Sequence, residues 1–133
     1  MATSYWTSTY YEFLTDEQAE LFRLLDRAIR DLGRSSSQAD DYIAYKKEPE
    51  MKGAFVRISQ GKKPSLNVHL ALITFEEIDD PHNLCEKDYK FGRSWSRTSL
   101  VVNCTPESDI KYIMDLVHQA FQTAMVHDRK RAP

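Results

Sequence analysis

Glycine and cysteine are scarce in this chain, which has four glycines and two cysteines among 133 residues. So few glycines leave little material for loops that cradle phosphate groups, and the P-loop, Gly-x-Gly-x-x-Gly and Gly-x-Ser-x-Gly patterns do not occur. The two cysteines, Cys85 and Cys104, make no disulfide framework, and we interpret them as reduced thiols. We therefore do not expect an enzyme that binds nucleotides through a glycine-rich loop, or a protein stabilised mainly by disulfide bonds.

Long apolar runs and an excess of positive charge are also missing. The apolar stretches are only a few residues long, as at Leu100 to Val102, whereas a membrane-spanning helix needs about 20 apolar residues. Lysine and arginine number 18 against 20 acidic residues, which gives a formal charge of −2 and excludes histone-like basicity. Residues 1–11 do not have the pattern of a secretory signal, so we expect a cytoplasmic protein.

The remaining composition, with 41% apolar and 29% charged residues, is typical of a single globular domain. We predict one α+β domain at residues 14–126. A segment rich in aromatic residues, serine and threonine precedes it at 1–13, and a basic tail follows it at 127–133.

Two amphipathic helices are predicted, one at each end of the domain. In the first helix, Thr15 and Gln18 have the spacing of a capping box, apolar residues recur every three or four positions, and Gly33 supplies a left-handed residue at the end. In the second helix, the hydroxyl of Thr105 precedes a proline in the first helical position, and the apolar residues of 110–124 lie on one face.

Between the helices the apolar pattern has a period of two, which indicates strands. The connections between them are short, and a parallel crossover needs a dozen or more residues, so we predict antiparallel pairing. Residues 35–37 are interpreted as a polar connector, and residues 74–97 as a loop with one helical turn. The four predicted strands are 41–46, 54–60, 66–73 and 98–103.

Both helices are expected to cover the same face of this sheet, leaving the other face open. If Ile43 and Tyr45 point toward the helices, the side chains of Tyr42, Ala44 and Lys46 join the open face. The residues assigned to the covered face are Val56, Ile58, Leu66, Val68, Leu70, Leu72, Leu100 and Val102. Those assigned to the open face are Phe55, Arg57, Ser59, Asn67, His69, Ala71, Ser99, Val101 and Asn103.

Several segments together resemble a known family. They are Leu32-Gly33, the strand from Tyr42 to Lys47, Phe55-Val56-Arg57-Ile58, Leu66-Asn67-Val68-His69-Leu70, Asp88-x-x-x-Gly92, Ser108-Asp109-Ile110, and Met114-x-x-Val117-x-x-Ala120-Phe121. This set is similar to the small prokaryotic domain of unknown function DUF5655, over about residues 12–125. The resemblance implies an accessory domain in a nuclease or defence context and names no reaction. The chain departs from the family pattern at Ser94-Trp95, where a second glycine is usual.

Local charge points to a binding surface on the open face. Residues 34–65 hold seven basic and four acidic side chains, and residues 86–97 hold four and two. We predict a basic rim, with aromatic side chains available for stacking on nucleic acid. The rim residues are Lys46, Lys47, Lys52, Arg57, Lys62, Lys63, Arg93 and Arg97. The stacking residues are Tyr42, Phe55, His69 and Trp95. The predicted binding site consists of Lys46, Phe55, Arg57, His69, Arg93, Trp95 and Arg97.

Two other interpretations of this face stay open. In the first, the lysines at the turns serve only to keep the surface soluble, and the open face packs against the N-terminal segment or a second subunit. In the second, Phe55, Val101 and Trp95 form an apolar patch for a homodimer or for another protein. The leading interpretation stays an accessory module that contacts nucleic acid or a nuclease-type protein through the open face and its basic rim.

Catalytic and metal-binding patterns are weak in this sequence. Asp41 with Glu50 and Lys52 formally matches a D…ExK nuclease pattern, but these residues lie around a Pro/Gly turn and not on an apolar strand. His82-x-x-Cys85 has the spacing of one zinc-ligand pair, and a second close pair is missing. A metal-dependent nuclease or hydrolase is therefore the lesser alternative, and we predict no catalytic residue, metal or cofactor.

Overall fold

The computed structural model describes residues 14–39, 42–47, 54–71, 73–88 and 99–131, excluding the side chains of 34–39 and 127–131. This part of the chain forms two helices and one antiparallel sheet, so the α+β prediction is confirmed. Neither described helix is long and apolar enough to cross a membrane. The elements are α1 (Asp16–Ile29), β1 (Arg34–Ala39), β2 (Tyr42–Lys46), β3 (Val56–Gln60), β4 (Leu66–Leu70), β5 (Cys85–Lys87), β6 (Leu100–Cys104) and α2 (Ile110–Arg131).

The sheet has six strands, in the order β1-β2-β3-β4-β6-β5, and the prediction of four strands is wrong. The two additional strands lie at the edges. The β1 sequence, RSSSQA, has no apolar alternation and pairs with β2 through its backbone, around an irregularity between Ser35 and Ser37. The other strand, β5, has only three residues and lies inside the predicted loop at 74–97. Neither strand carries the apolar period on which sequence-based recognition depends.

Cross-strand pairing gives the sheet one apolar and one polar face, because directly paired residues lie on the same side. One row across four strands is Ile43, Ile58, Val68 and Val102, and all four side chains are buried. The adjacent row is Tyr42, Ser59, Asn67 and Asn103, on the opposite face. The orientation of β2, which the sequence leaves open, places Ile43 and Tyr45 on the apolar face. Leu72 lies outside the described residues.

Both helices cover the apolar face. They contact each other, and both contact β4. The Tyr45 hydroxyl, on the apolar face of β2, donates to Asp26 Oδ1 of α1 at 2.6 Å. Leu25 of α1 and Val117 of α2 are fully buried in the same core as the strand residues. The opposite face of the sheet carries mostly polar side chains, although Ala44 and Val101 also lie on it.

The ends of α1 depend on two different contacts. The capping box is confirmed, since Thr15 Oγ1 accepts from Gln18 N at 3.1 Å and Gln18 Oε1 accepts from Thr15 N at 3.0 Å. The predicted left-handed conformation of Gly33 is wrong, because no described glycine has a positive φ. Gly33 instead allows a close approach: a Cβ at this position would lie 2.8 Å from both the Lys46 backbone oxygen and Phe55 Cε1.

The second helix begins and ends later than predicted. Pro106 lies in a turn, and α2 starts at Ile110 after Asp109, whose Oδ1 accepts from Lys111 N at 3.0 Å. Asp109 also accepts a backbone hydrogen bond from Ile113 N, so it has the position of an N-cap. At the other end the helix continues to Arg131. Most of the predicted tail at 127–133 is therefore helical backbone.

Replacing Gly33 with alanine tests this close approach. We expect Gly33→Ala to lower the free energy of unfolding by about 1–3 kcal/mol, because the added methyl group meets a strand backbone atom that cannot move aside cheaply. Urea unfolding measures the change, and Asp31→Ala at an exposed neighbouring position is the control. Equal stability of the two variants would contradict this account of Gly33.

Candidate functional site

A buried polar network crosses the polar face of the sheet. The side-chain oxygen of Ser59 lies 2.6 Å from His69 Nε2, and His69 Nδ1 lies 3.0 Å from Asp88 Oδ2. Ser99 Oγ donates to the same Asp88 oxygen at 3.3 Å. Exposure is 1% for Ser59, 2% for His69, 2% for Asp88 and 0% for Ser99. These four residues, hereafter the Ser59–Asp88 network, are shielded from bulk water.

The chemistry of the groups sets the proton positions. An ionised carboxylate only accepts hydrogen bonds, so the His69 ring donates to Asp88 from Nδ1. In the neutral ring, Nε2 is then the acceptor of the hydroxyl proton of Ser59. With Asp88 ionised and His69 neutral, the network is a directional relay from a hydroxyl through an imidazole to a carboxylate.

Strand register places the members of this network together. Arg57 pairs directly with His69, and Ser59 is two residues farther along β3, so Ser59 and His69 are diagonal neighbours on one face. Asp88 follows β5 directly, and its backbone N–H donates to Ser99 O at 3.1 Å just before β6. The network therefore joins the β5 edge of the sheet to its central strands.

Arg57 and Tyr42 form a second feature of the same face. The guanidinium carbon of Arg57 lies 5.0 Å from the centre of the Tyr42 ring, which is a cation–π distance. Burial lowers the pKa of the Arg57 guanidinium, while the charges of Tyr42 and Asp88 act in the opposite direction. Both side chains are partly exposed, so this stacked pair reaches the surface.

Two asparagines lie farther along the face. Asn103 Nδ2 donates to Asn67 Oδ1 at 3.0 Å and to Ser65 Oγ at 2.9 Å. Asn103 is exposed and Asn67 is half-buried. One amide N–H₂ group and one amide oxygen of this pair are left to meet an incoming ligand.

The predicted site residues have different positions in the structure. Arg57 and the half-buried Lys46 lie on the polar face, as predicted. His69 is also on this face, but the expectation that it is open is wrong, because the Ser59–Asp88 network and its surroundings bury the ring. Arg93, Trp95 and Arg97 lie outside the described residues, as does Lys52 of the predicted rim.

Phe55 and Lys47 do not belong to the polar face. Phe55 is fully buried, and its ring meets Phe121 of α2 edge-on with ring centres 5.1 Å apart. The reason is that β3 begins only at Val56, so Phe55 precedes the regular alternation. The Lys47 ammonium lies over the same Phe121 ring at 5.8 Å. The predicted apolar patch of Phe55 with Val101 is therefore wrong for Phe55.

Sequence reasoning missed the connections among Ser59, Asp88 and Ser99. The period-two alternation places Ser59, His69 and Ser99 on one face, so the sequence predicts which strand residues of the network are neighbours. Asp88 was hidden in the predicted loop, because β5 is too short to be recognised. Without β5, no pattern in the sequence brings a carboxylate next to His69.

Metal and thiol chemistry finds little support in the described part of the chain. It contains no group of three or more histidine, cysteine or acidic side chains able to hold a metal ion. The Cys85 backbone N–H donates to Asp80 Oδ2 at 2.8 Å, and the His82 ring contacts the Tyr112 ring, so these groups stabilise the loop before β5. The nuclease pattern of Asp41, Glu50 and Lys52 lies outside the described residues.

Both thiols are buried and weakly acidic. Burial, together with the charge of Asp80 and a hydrogen bond to it, raises the pKa of Cys85 to about 12. Burial raises the pKa of Cys104 to about 11, against an opposing hydrogen bond from Ser108. Because the thiolate is the reactive form, both cysteines are protected at neutral pH.

Comparison of the chain with protein-family models, with curated proteins and with solved structures gives no match. The resemblance to DUF5655 stays a prediction.

Alkylation tests the state of the thiols. At pH 8, we expect iodoacetamide to leave Cys85 and Cys104 unmodified in the folded protein, because this pH is well below the pKa of about 12 of Cys85 and the pKa of about 11 of Cys104. The same treatment in urea should modify both. Mass spectrometry counts the added groups, and rapid alkylation of either folded thiol would contradict the prediction.

Asp88→Ala tests the energetic role of the Ser59–Asp88 network. Removing the carboxylate takes a shared acceptor from His69 and Ser99, and losing the partner of a buried donor costs about 1–3 kcal/mol. We expect the free energy of unfolding to fall by at least 2 kcal/mol. Glu86→Ala, at an exposed position in β5, should change it by less than about 0.5 kcal/mol. An Asp88→Ala protein as stable as the control would show that the network contributes little to stability.

Proposed function

We propose that this protein is a binding module that contacts single-stranded nucleic acid through the polar face of its sheet. The observation that carries the proposal is the stacked pair of Arg57 and Tyr42, 5.0 Å apart, on the face opposite both helices. The surface comprises Tyr42, Lys46, Arg57, Asn67 and Asn103, hereafter the polar-face surface.

The chemistry of this surface suits nucleotides. A sheet with helices on one side offers its other side to unstacked bases, which stack on aromatic rings and guanidinium planes. The guanidinium of Arg57 also matches the geometry of a phosphate group, and the charge of Lys46 adds attraction. The amides of Asn67 and Asn103 offer a donor and an acceptor to base edges.

The buried network beneath this surface supports the proposal in a second way. His69 pairs across the strands with Arg57 and is held by Ser59 and Asp88, so the backbone that carries Arg57 is fixed. A binding side chain on a rigid strand loses less conformational freedom when the ligand arrives. His69 thus supports the surface from below and does not itself stack on a base.

Basic residues also occur in the chain segment that joins Asp88 to Ser99. Asp88 and Ser99, which lie at the polar face, are the described residues on either side of segment 89–98. That segment contains Arg93, Trp95 and Arg97 in the sequence. An accessory role beside a nuclease-type protein, as the DUF5655 resemblance implies, is the biological setting that we propose.

Fluorescence anisotropy with labelled oligo(U) and oligo(dT) of about 15 nucleotides tests the proposal. We expect Arg57→Gln to weaken binding at least tenfold. Arg23→Gln makes the same charge change at an exposed position of α1, in the helical layer, and should leave binding unchanged. Arg57→Lys keeps the charge but loses the planar group, so its affinity should fall between those of the wild type and Arg57→Gln. Thermal melts of each variant show that the fold is kept.

Salt dependence provides a second readout. Binding through phosphate contacts should weaken as salt rises from about 50 to 200 mM, because cations are released from the nucleic acid. Affinity that does not depend on salt, or that Arg57→Gln and Arg23→Gln reduce equally, would exclude the proposed surface. A dimer in light scattering that Arg57→Gln dissociates would assign the polar face to self-association instead.

A further inference from the structure

We propose that Ser59 is an activated nucleophile that reacts with small carboxylic esters, with His69 as its general base and Asp88 as the residue that orients His69. This activity is separate from nucleic-acid binding, and either can fail without the other. The Ser59–Asp88 network is the set of groups on which the proposal rests.

The hydrogen bonds of the network occur in the order that serine nucleophiles need. A nucleophile and its base should be about 2.6–3.2 Å apart, and a third group should orient the base. Ser59 Oγ and His69 Nε2 are 2.6 Å apart, and His69 Nδ1 and Asp88 Oδ2 are 3.0 Å apart. Both distances lie within that range, and each imidazole nitrogen faces its required partner.

The groups are also held firmly. Ser59 and His69 lie on adjacent central strands, and the Asp88 carboxylate accepts from Ser99 in addition to His69. The low exposure of all four residues excludes bulk water, which strengthens the charge interactions among them. A relay fixed in this way needs little rearrangement when a proton moves.

A positive charge lies beside the relay. Arg57 is the direct cross-strand partner of His69 and shares its face with Ser59. The guanidinium can therefore stabilise negative charge that develops on a carbonyl oxygen near Ser59.

The reaction has two balanced halves. Ser59 Oγ forms a bond to the ester carbonyl carbon as its proton passes to His69 Nε2, and the carbonyl electron pair moves onto oxygen. When the carbonyl re-forms, the bond to the alkoxy group breaks, and His69 returns the proton to the departing alcohol. A water molecule that takes the place of the departed alcohol then attacks the acyl-Ser59 ester in the same way, releasing the carboxylic acid and restoring the serine. Asp88 stays ionised throughout.

Burial sets the size of the substrate. Ser59 is only 1% exposed, so an ester reaches its hydroxyl only when a side chain that covers it turns away. A small opening of this kind admits an acetyl or similarly short acyl group more easily than a peptide or a long chain. The substrate class is therefore small esters of short carboxylic acids.

Labelling with a small fluorophosphonate, followed by peptide mass spectrometry, tests Ser59 directly. We expect one adduct per folded chain, located on Ser59, and no adduct in urea, where the relay is absent. Ser59→Ala should abolish the adduct. Ser65→Ala is the matched control, because it removes another buried hydroxyl that lies outside the Ser59–Asp88 network, and it should still be labelled.

The rate of ester hydrolysis is measured with p-nitrophenyl acetate as the substrate. We expect Ser59→Ala to lower kcat at least a hundredfold, and His69→Gln to slow both hydrolysis and labelling at least tenfold. Melting curves identify any variant that has unfolded, and the wild-type labelling result stands without the variants. No adduct on the folded wild type, or an adduct on another residue, would overturn the proposal. Hydrolysis that Ser59→Ala leaves intact would overturn it as well.

The two proposals remain distinguishable in these assays. A Ser59→Ala protein that still binds oligonucleotides but no longer hydrolyses the ester separates the activities. Loss of ester hydrolysis in Arg57→Gln, with labelling of Ser59 retained at a reduced rate, would place the role of Arg57 in stabilising the transition state.

Discussion

The structure depends on burying one face of a twisted sheet against two helices. The row from Ile43 through Ile58 and Val68 to Val102 is the centre of that contact, and each of these side chains removes apolar surface from water. A buried aliphatic side chain contributes about 1.5–3 kcal/mol relative to an exposed one. Register is fixed at the same time, because a slip of one residue would turn the apolar row outward and the polar row inward. The position of every group on the polar face follows from this single constraint.

The polar face differs from a simple solvated surface because part of it is buried. Ser59, His69, Asp88 and Ser99 satisfy one another by hydrogen bonds away from water. An incomplete set of this kind is costly, whereas a connected set fixes side-chain rotamers and strand positions. The partly exposed Arg57 and Tyr42 are therefore carried by strands whose positions are fixed. The residues proposed to bind a ligand and the buried Ser59–Asp88 network therefore lie on the same face of the sheet.

Much of this arrangement could be predicted from the sequence, where local patterns are strong. The capping box at Thr15 and the four central strands follow from spacing and period, whereas the direction of Ile43 and Tyr45 stays open until β2 is paired with β3. Gly33 shows where such reasoning fails, since its role depends on the backbone of a strand that is distant along the chain. The partners of His69 fail for the same reason: Asp88 becomes its neighbour only when the short strand β5 pairs with β6. Local patterns indicate elements, and non-local pairing assembles the candidate site.

The edge formed by β5 has a consequence for how the molecule meets other chains. This strand is only three residues long, and its Glu86 and Lys87 side chains are exposed. Short edge strands with charged side chains make poor templates for the addition of a further strand. By covering β6, which is the longer and more apolar strand, β5 shields its hydrogen-bonding groups from neighbouring molecules. The Asp88 carboxylate of the buried network thus directly follows a strand that also opposes edge-to-edge aggregation.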